Sequence, residues 1–158
     1  MTQRIINQEK AQGAYKALGA LGSYLSKSPL EEHLQQLIEF RVSQINGCAF
    51  CLDMHSKDLR ANGESEQRLY VLDAWREAPF YTDRERAALA YAESLTRPQG
   101  IVPDLIYEEA KARFSEEELI ALTMCVIAIN SYNRLNLAFP NPKYVGTYQP
   151  GMFAAQTV

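Results

Sequence analysis

Two cysteines and a histidine occur at spacings that place them on one face of a helix. Cys48 and Cys51 are three residues apart, and His55 follows Cys51 by four. Because Gly47 precedes them, the cysteines would occupy the first turn of the helix, where free N–H groups and the helix dipole stabilise a thiolate. His55 can relay a proton, since the unperturbed pKa of histidine is about 6.5. One sulfur can react and the other can resolve its sulfenic acid as a disulfide, which predicts thiol peroxidase chemistry.

Two other interpretations of the cysteine pair stay open. A zinc site can contain two cysteines at this spacing, but it needs four ligands, of which His55 could be the third. The chain contains three cysteines and two histidines, so the remaining candidates are Cys125 and His33. We expect Cys125 to be a packed core residue and His33 a solvated surface residue, and we expect no metal and no cofactor. In the other interpretation, the pair consists of inert core cysteines.

Length and composition predict one globular domain. The 158 residues have a formal charge of -3 and are 47% hydrophobic, so residues 1–158 can form a single domain with no general attraction for nucleic acid. The N-terminal residues have no apolar stretch typical of a signal peptide, and the apolar runs are shorter than the ~20 residues that cross a bilayer. We therefore expect no membrane association and a cytoplasmic location.

Apolar residues recur at helical spacing and strand-like alternation is not sustained, which predicts an all-α, single-domain bundle of about seven helices. Capping-box patterns begin at Ser28, Thr82 and Ser115, and Ser65 can cap the helix that carries Leu69, Leu72 and Trp75 and ends before Pro79. The predicted helix ends are Asn46-Gly47, Asn62-Gly63 and the segment 97–100. A further helix that starts at Pro103-Asp104 should carry Leu105, Ile106 and Phe114.

The last helix and the segment after it carry many apolar residues. The helix from Leu119 to about Leu137 is apolar nearly all round, so we expect it to be buried inside the subunit or between subunits. From about Pro140, prolines and glycines prevent a long regular element. Aromatic and aliphatic residues, among them Tyr148 and Phe153, predict that this irregular tail docks on its own or a neighbouring subunit.

The cysteine segment resembles a known family. The residues from Arg41 to His55 read RVSQINGCAFCLDMH, and the similarity continues through Gly63-Glu64 to RERAALA at 84–90 and INSYNR at 129–134. These segments are similar to the alkylhydroperoxidase D-like group of the carboxymuconolactone decarboxylase family. The core of the resemblance covers about residues 34–96, and the whole covers roughly two-thirds of the chain.

This resemblance implies a fold, an activity and roles for the site residues. The family is all-helical and forms homo-oligomers, so a trimer or hexamer is expected. The implied activity is reduction of an organic hydroperoxide by the cysteine pair, in antioxidant defence. By the resemblance, Cys51 attacks the peroxide, Cys48 resolves it and meets the reductant, and His55 belongs to the proton relay. The reductant would be a dithiol or a thioredoxin-like protein.

The relay carboxylate is where this chain departs from the family pattern. The usual glutamate lies twelve residues before the first cysteine, and that position is Gln36, which cannot titrate. Glu39, three residues further along the same helix, could replace it, because residues at i and i+3 project to similar faces. Alternatively, Glu39 is a solvated carboxylate paired with basic residues.

Two further functions fit the same sequence. The disulfide could switch the assembly of a non-catalytic oligomeric redox sensor or scaffold. The chain could also be a carboxymuconolactone decarboxylase-type enzyme, which the family resemblance would allow and whose activity should survive the loss of both cysteines.

Overall fold

A computed structural model describes residues 4–5, 7–140 and 144–152, and every regular element within these ranges is a helix. The elements are α1 (Asn7–Lys10), α2 (Gln12–Leu25), α3 (Glu32–Asn46), α4 (Ala49–Ala61), α5 (Glu66–Tyr70), a 3₁₀ turn (Leu72–Ala74), α6 (Asp83–Thr96), α7 (Asp104–Lys111) and α8 (Glu116–Ala138). Apart from the four-residue α1, the described residues form seven α-helices, which confirms the predicted all-α fold of about seven helices.

Helix α3 lies at the centre of the bundle. It packs against α4, α6 and α8, while α6 also packs on α7 and α8, and α2 on α8. The apolar stripes of these helices meet in one core, whose fully buried members include Leu37, Ile38, Val42, Leu59, Ala88, Leu89, Leu122 and Val126. The stripe predicted for α3 faces this core, and α3 in turn positions the turn that leads to the cysteines.

Several predicted helix boundaries are confirmed by their caps. Thr82 and Ser115 each form a complete capping box, with Glu85 and Glu118 as the reciprocal partners. The Ser65 side chain accepts a hydrogen bond from the N–H of Arg68 and caps α5. These boundaries depend on side-chain-to-backbone contacts within three residues, so a sequence pattern is sufficient to find them.

The predicted capping box at Ser28 is wrong. Helix α3 begins at Glu32, and the Ser28 hydroxyl instead donates to the carbonyl of Leu25. The side-chain amide of Gln35 donates to the carbonyls of Leu25 and Leu30, which satisfies the turn without a helix. Because Leu30 is buried in the core at 3% exposure, tertiary packing overrides the local capping pattern.

The helix predicted to run from Ser65 toward Pro79 is interrupted after Tyr70. The chain continues as a 3₁₀ turn and then leaves helical geometry near Trp75. The guanidinium of Arg86 donates to the carbonyls of Trp75, Arg76 and Ala78, and the indole N–H of Trp75 donates to Glu93. These bonds from α6 replace the helical hydrogen bonds that the segment gives up.

Two apolar assignments also need correction. Ile120 and Ile127 of α8 are 55% and 48% exposed, so this helix is not buried all round within the subunit, and its burial between subunits stays a prediction. In α7, Leu105 is 72% exposed, and Phe114, although buried, lies beyond the end of the helix at Lys111.

The tail docks on its own subunit between residues 144 and 152. Tyr148 is buried, and its hydroxyl donates to both carboxylate oxygens of Asp58 at 2.9 Å. The N–H of Gly146 donates to Asp53, and the Tyr144 ring packs against Phe50. All of these partners lie on α4, which confirms the predicted docking for this segment; Phe153 lies outside the described residues.

Candidate functional site

The turn between α3 and α4 places both cysteines. Gly47 ends α3 in the left-handed conformation, with φ 69°, and its N–H donates to the carbonyl of Gln44. The N–H of Cys48 donates to the carbonyl of Ser43, and the extended backbone of Cys48 makes it the N-cap of α4. The sequence favours this geometry because Asn46-Gly47 is a helix-ending pair and glycine takes positive φ without strain.

Cys48 and Cys51 are joined as a disulfide at the start of α4. Their Cα atoms are 5.3 Å apart, which lies within the usual range for disulfides. Both residues are 1% exposed, and the N–H of Cys51 donates to the sulfur of Cys48 at 3.4 Å. The pair therefore occupies the helix N-terminus that the spacing predicted, and it can cycle between a dithiol and a disulfide.

His55 lies one turn beyond Cys51 and is 6% exposed. Its Nδ1 atom is 3.5 Å from a carboxylate oxygen of Glu39, whereas its buried Nε2 atom has no hydrogen-bond partner among the described residues. Burial lowers the pKa of His55 to about 4. The expectation that His55 would titrate near neutral pH is therefore wrong, and the imidazole is neutral at pH 7.

Glu39 on α3 is the carboxylate that the structure brings to His55. Burial raises the pKa of Glu39 to about 8, and the negative charges of Asp58 and Glu32 act in the same direction. At neutral pH the proton therefore resides on Glu39 and not on the imidazole. The contact therefore brings together a neutral acid and a neutral base.

Gln36 does not join the site. Its amide donates to Glu32 on the same helix and accepts a hydrogen bond from Asn62 at 3.0 Å. Of the two positions considered for the relay carboxylate, only Glu39 reaches His55.

A set of asparagines on α8 belongs to the site and was missed by the sequence analysis. Asn133 is fully buried; it accepts a hydrogen bond from Asn46 and donates one to Ser43. Asn136, one turn further on, donates from its amide nitrogen to the sulfur of Cys51 at 3.5 Å. Asn130, Asn133 and Asn136 recur every three residues in the C-terminal half of α8, and this periodicity was the available signal.

A cavity of about 430 Å³ opens beside Cys48. Aromatic and aliphatic side chains of α4, the end of α8 and the tail form most of its wall, and its lining residues are Arg4, Gly47, Cys48, Ala49, Phe50, Asn136, Leu137, Pro140, Tyr144 and Val145. The docked tail thus supplies part of an apolar space next to the reactive pair, of the kind that accommodates an alkyl group.

The other cysteine and histidine lie outside this arrangement. Cys125 is a buried free cysteine, and burial raises the pKa of its thiol well above the ordinary value, so it is a core residue as expected. His33 is not simply solvated, because its Nε2 atom is 3.3 Å from the buried carboxylate of Glu64. Across residues 4–5, 7–140 and 144–152, no cluster of three or more histidine, cysteine or acidic side chains could hold a metal ion.

None of the helices in the described part of the chain combines the length and apolar character that crossing a bilayer requires.

Comparison with known proteins identifies the family. Residues 11–94 match the carboxymuconolactone decarboxylase family model, and this range contains the disulfide, Glu39 and His55. The chain is 41% identical over 142 residues to the uncharacterized protein YdfG of Bacillus subtilis (strain 168), covering 89% of this chain and 97% of YdfG.

Two solved structures share the fold at appreciable identity. A protein of unknown function from Agrobacterium tumefaciens, described as a candidate antioxidant defence protein AhpD, is 41% identical with a TM-score of 0.83, over 87% of this chain and 95% of its own. An uncharacterized peroxidase-related protein from Silicibacter sp. TM1040 is 26% identical with a TM-score of 0.72, over 83% of this chain and 72% of its own. With its helical fold and its cysteine pair at the start of α4, this chain belongs to the carboxymuconolactone decarboxylase family as an AhpD-like member.

Proposed function

We propose that this protein is a thiol peroxidase that reduces organic hydroperoxides to alcohols through a Cys48–Cys51 disulfide cycle. The observation that carries the proposal is the disulfide at the N-terminus of α4, with His55 one turn further along α4 and a protonated Glu39 of α3 at 3.5 Å from His55. The descriptions of the two solved relatives, as an antioxidant defence candidate and as peroxidase-related, support the same class of reaction.

In the oxidative half of the cycle, Cys51 is the attacking sulfur. Its thiolate attacks one peroxide oxygen, so that an S–O bond forms, the O–O bond breaks and an alkoxide leaves with the bonding electrons. The alkoxide takes a proton and departs as the alcohol, which leaves Cys51 as a sulfenic acid. The Cys48 sulfur then attacks the Cys51 sulfur, the S–S bond forms, and hydroxide leaves with the Cys48 proton as water.

His55 and Glu39 supply the proton for the alkoxide. In the proposed relay the Nδ1 atom of His55 accepts a hydrogen bond from Glu39, so the imidazole proton lies on Nε2, the buried atom that has no partner among the described residues. A buried donor without a hydrogen-bond partner lowers stability by roughly 1–3 kcal/mol. An oxygen or thiolate that accepts a hydrogen bond from Nε2 is therefore favoured at this position. Glu39 then reprotonates the imidazole at Nδ1, with the proton moving through one side chain to the next.

An external dithiol completes the cycle. One of its sulfurs attacks Cys48, which borders the apolar cavity, and the second sulfur displaces Cys48 from the mixed disulfide. Two protons and two electrons pass to the cysteine pair, so the sum of the cycle is that a hydroperoxide and a dithiol give an alcohol, water and a disulfide. A small dithiol and a thioredoxin-like protein are both candidate reductants, and a homo-oligomeric trimer or hexamer stays a prediction.

The test is the consumption of cumene hydroperoxide with dithiothreitol as reductant. We expect turnover by the wild type, loss of turnover in Cys51→Ser, and retention in the control Cys125→Ser, which removes a cysteine that lies in the core. Equal rates in the wild type and Cys51→Ser would overturn the proposal. An activity of the decarboxylase type would instead survive in a variant that lacks both Cys48 and Cys51.

A further inference from the structure

The sulfur assigned to attack the peroxide has a polar partner on α8. Cys51 is 1% exposed, and the side-chain amide of Asn136 donates to its sulfur at 3.5 Å. A thiolate at such a buried position loses most of its solvation by water, so its stability depends on donors that the protein supplies. Among the described residues, the Asn136 amide is the donor to this atom, whereas the N–H of Cys51 at the start of α4 donates to the sulfur of Cys48.

A buried network positions Asn136. Asn133, one turn earlier on the same face of α8, is fully buried and is hydrogen-bonded to Asn46 at 2.9 Å and to Ser43 at 3.1 Å. Asn46 is the last residue of α3, directly before the turn that carries Cys48. The network therefore ties α8 to the cysteine turn, and one helical turn further along α8 Asn136 contacts the sulfur.

The protonation state of His55 makes this donor more important. A charged imidazolium often lowers the pKa of a reactive cysteine, but in the disulfide form burial lowers the pKa of His55 to about 4, so the imidazole is neutral at pH 7. A neutral amide donor at the sulfur adds to the stabilisation of the thiolate. Asn136 also lines the cavity beside Cys48, so the residue that contacts the Cys51 sulfur also borders that space.

We propose that the Asn136 side-chain amide stabilises the thiolate of Cys51 and is a catalytic residue of the peroxide reaction. This inference rests on the proposed function for its role in turnover, but the contact itself can be tested without peroxide. Because a hydrogen bond to an anion is stronger than one to a disulfide sulfur, Asn136 also favours the dithiol over the disulfide. It therefore raises the reduction potential of the pair.

The test measures the pKa of Cys51 directly. In a Cys48→Ser background, the rate of iodoacetamide alkylation at Cys51 is followed by mass spectrometry from pH 5 to 10. Asn136→Leu keeps the size of the side chain but removes the donor, so we expect it to raise the pKa of Cys51 by about one unit. At a pH below this pKa, the alkylation rate should then be roughly tenfold lower. Asn136→Asp, which brings a negative charge to the sulfur, should raise the pKa further.

Ile127→Ala is the control, because Ile127 lies on the same helix α8, is 48% exposed and does not line the cavity. It should leave the alkylation profile at the wild-type position, and thermal melts identify any variant that is unfolded. Wild-type profiles in both the Leu and the Asp variants would overturn the role of Asn136, whether or not peroxide is consumed. If the Asn136 variants raise the pKa of Cys51 but the wild type does not consume peroxide, the thiolate contact is supported and the proposed peroxidase activity is refuted.

Discussion

Glu39 and His55 are both neutral at pH 7, which reverses the usual ionisation of the carboxyl. In water a carboxyl is ionised at pH 7 and an imidazole is partly protonated. Here burial raises the pKa of Glu39 to about 8 and lowers that of His55 to about 4. Each group is neutral because the charged form loses hydration without gaining a strong partner. The pair is therefore poised to deliver a proton at physiological pH.

Replacing Glu39 should remove this proton supply. We expect Glu39→Gln to lower the rate of cumene hydroperoxide reduction by roughly ten- to a hundredfold at pH 7. In the wild type the supply is complete below the pKa of Glu39 and is lost as the pH rises through about 8. The falling limb near pH 8 in the pH–rate profile should be absent in Glu39→Gln.

Gln36 provides a control for the position of this carboxylate. Adding Gln36→Glu to Glu39→Gln should not restore the rate, because the side chain at position 36 is directed toward Glu32 and Asn62. Restored turnover in that double variant would show that the carboxylate acts from the position usual in the family, contrary to the geometry.

The turn between α3 and α4 is the element on which the site depends. Gly47 in the left-handed conformation lets one helix end and the next begin within two residues, so that Cys48 caps α4 and Cys51 lies in its first turn. Behind this turn, Asn46 is hydrogen-bonded to Asn130 and Asn133 of α8. The position of the disulfide is thus fixed by a glycine dihedral and by contacts to a helix that is distant in sequence.

Two glycine substitutions should change stability in opposite directions. Gly47→Ala places a Cβ on a residue with φ +69° and should lower the free energy of unfolding by about 1 kcal/mol. Gly19→Ala lies inside α2, where the added Cβ would meet nothing within 4 Å, and should raise it by about 0.5–1 kcal/mol. Urea unfolding of both variants measures the difference; destabilisation by both would contradict the dihedral argument.

In the molecule as a whole, packing of the helical bundle buries the site, so the protonation of its ionisable groups is coupled to folding. Helices α3 and α4 supply Glu39 and His55, and α8 packs against both helices. Since the pKa values of these two residues differ between the folded and unfolded chains, the stability of the fold must depend on pH.

The oxidised protein should lose stability between pH 6.5 and 8. In this range the unfolded chain has released the Glu39 proton while the folded chain keeps it, so the free energy of unfolding falls with rising pH. His55 contributes the opposite slope, but only between its folded pKa of about 4 and its ordinary 6.5. We expect a loss of roughly 1–2 kcal/mol over this window.

Urea denaturation of the disulfide form at pH 6.5 and 8 measures this loss, and the disulfide keeps Cys48 and Cys51 from titrating. Glu39→Gln is the control and should show no comparable change. A wild-type protein whose stability rises over the same window would refute the assignment of the proton to Glu39.

Local patterns in the sequence predicted much of the fold and the centre of the site. The capping boxes at Thr82 and Ser115 and the turn at Asn46-Gly47 are formed by residues within a few positions of one another. The face formed by Cys48, Cys51 and His55 likewise follows from helical spacing alone. These features were predictable because their energetics depend on neighbours in the chain.

Residues close together in the chain thus specify the helical fold and a cysteine pair with a histidine at the start of a helix. Packing between the helices decides which carboxylate meets His55, which of the two groups is protonated, and that Asn136 contacts Cys51. It also decides that Ser28 caps no helix, since burial of Leu30 outweighs the local pattern. Desolvation and contacts between distant helices control these features, and both arise only when the chain is packed.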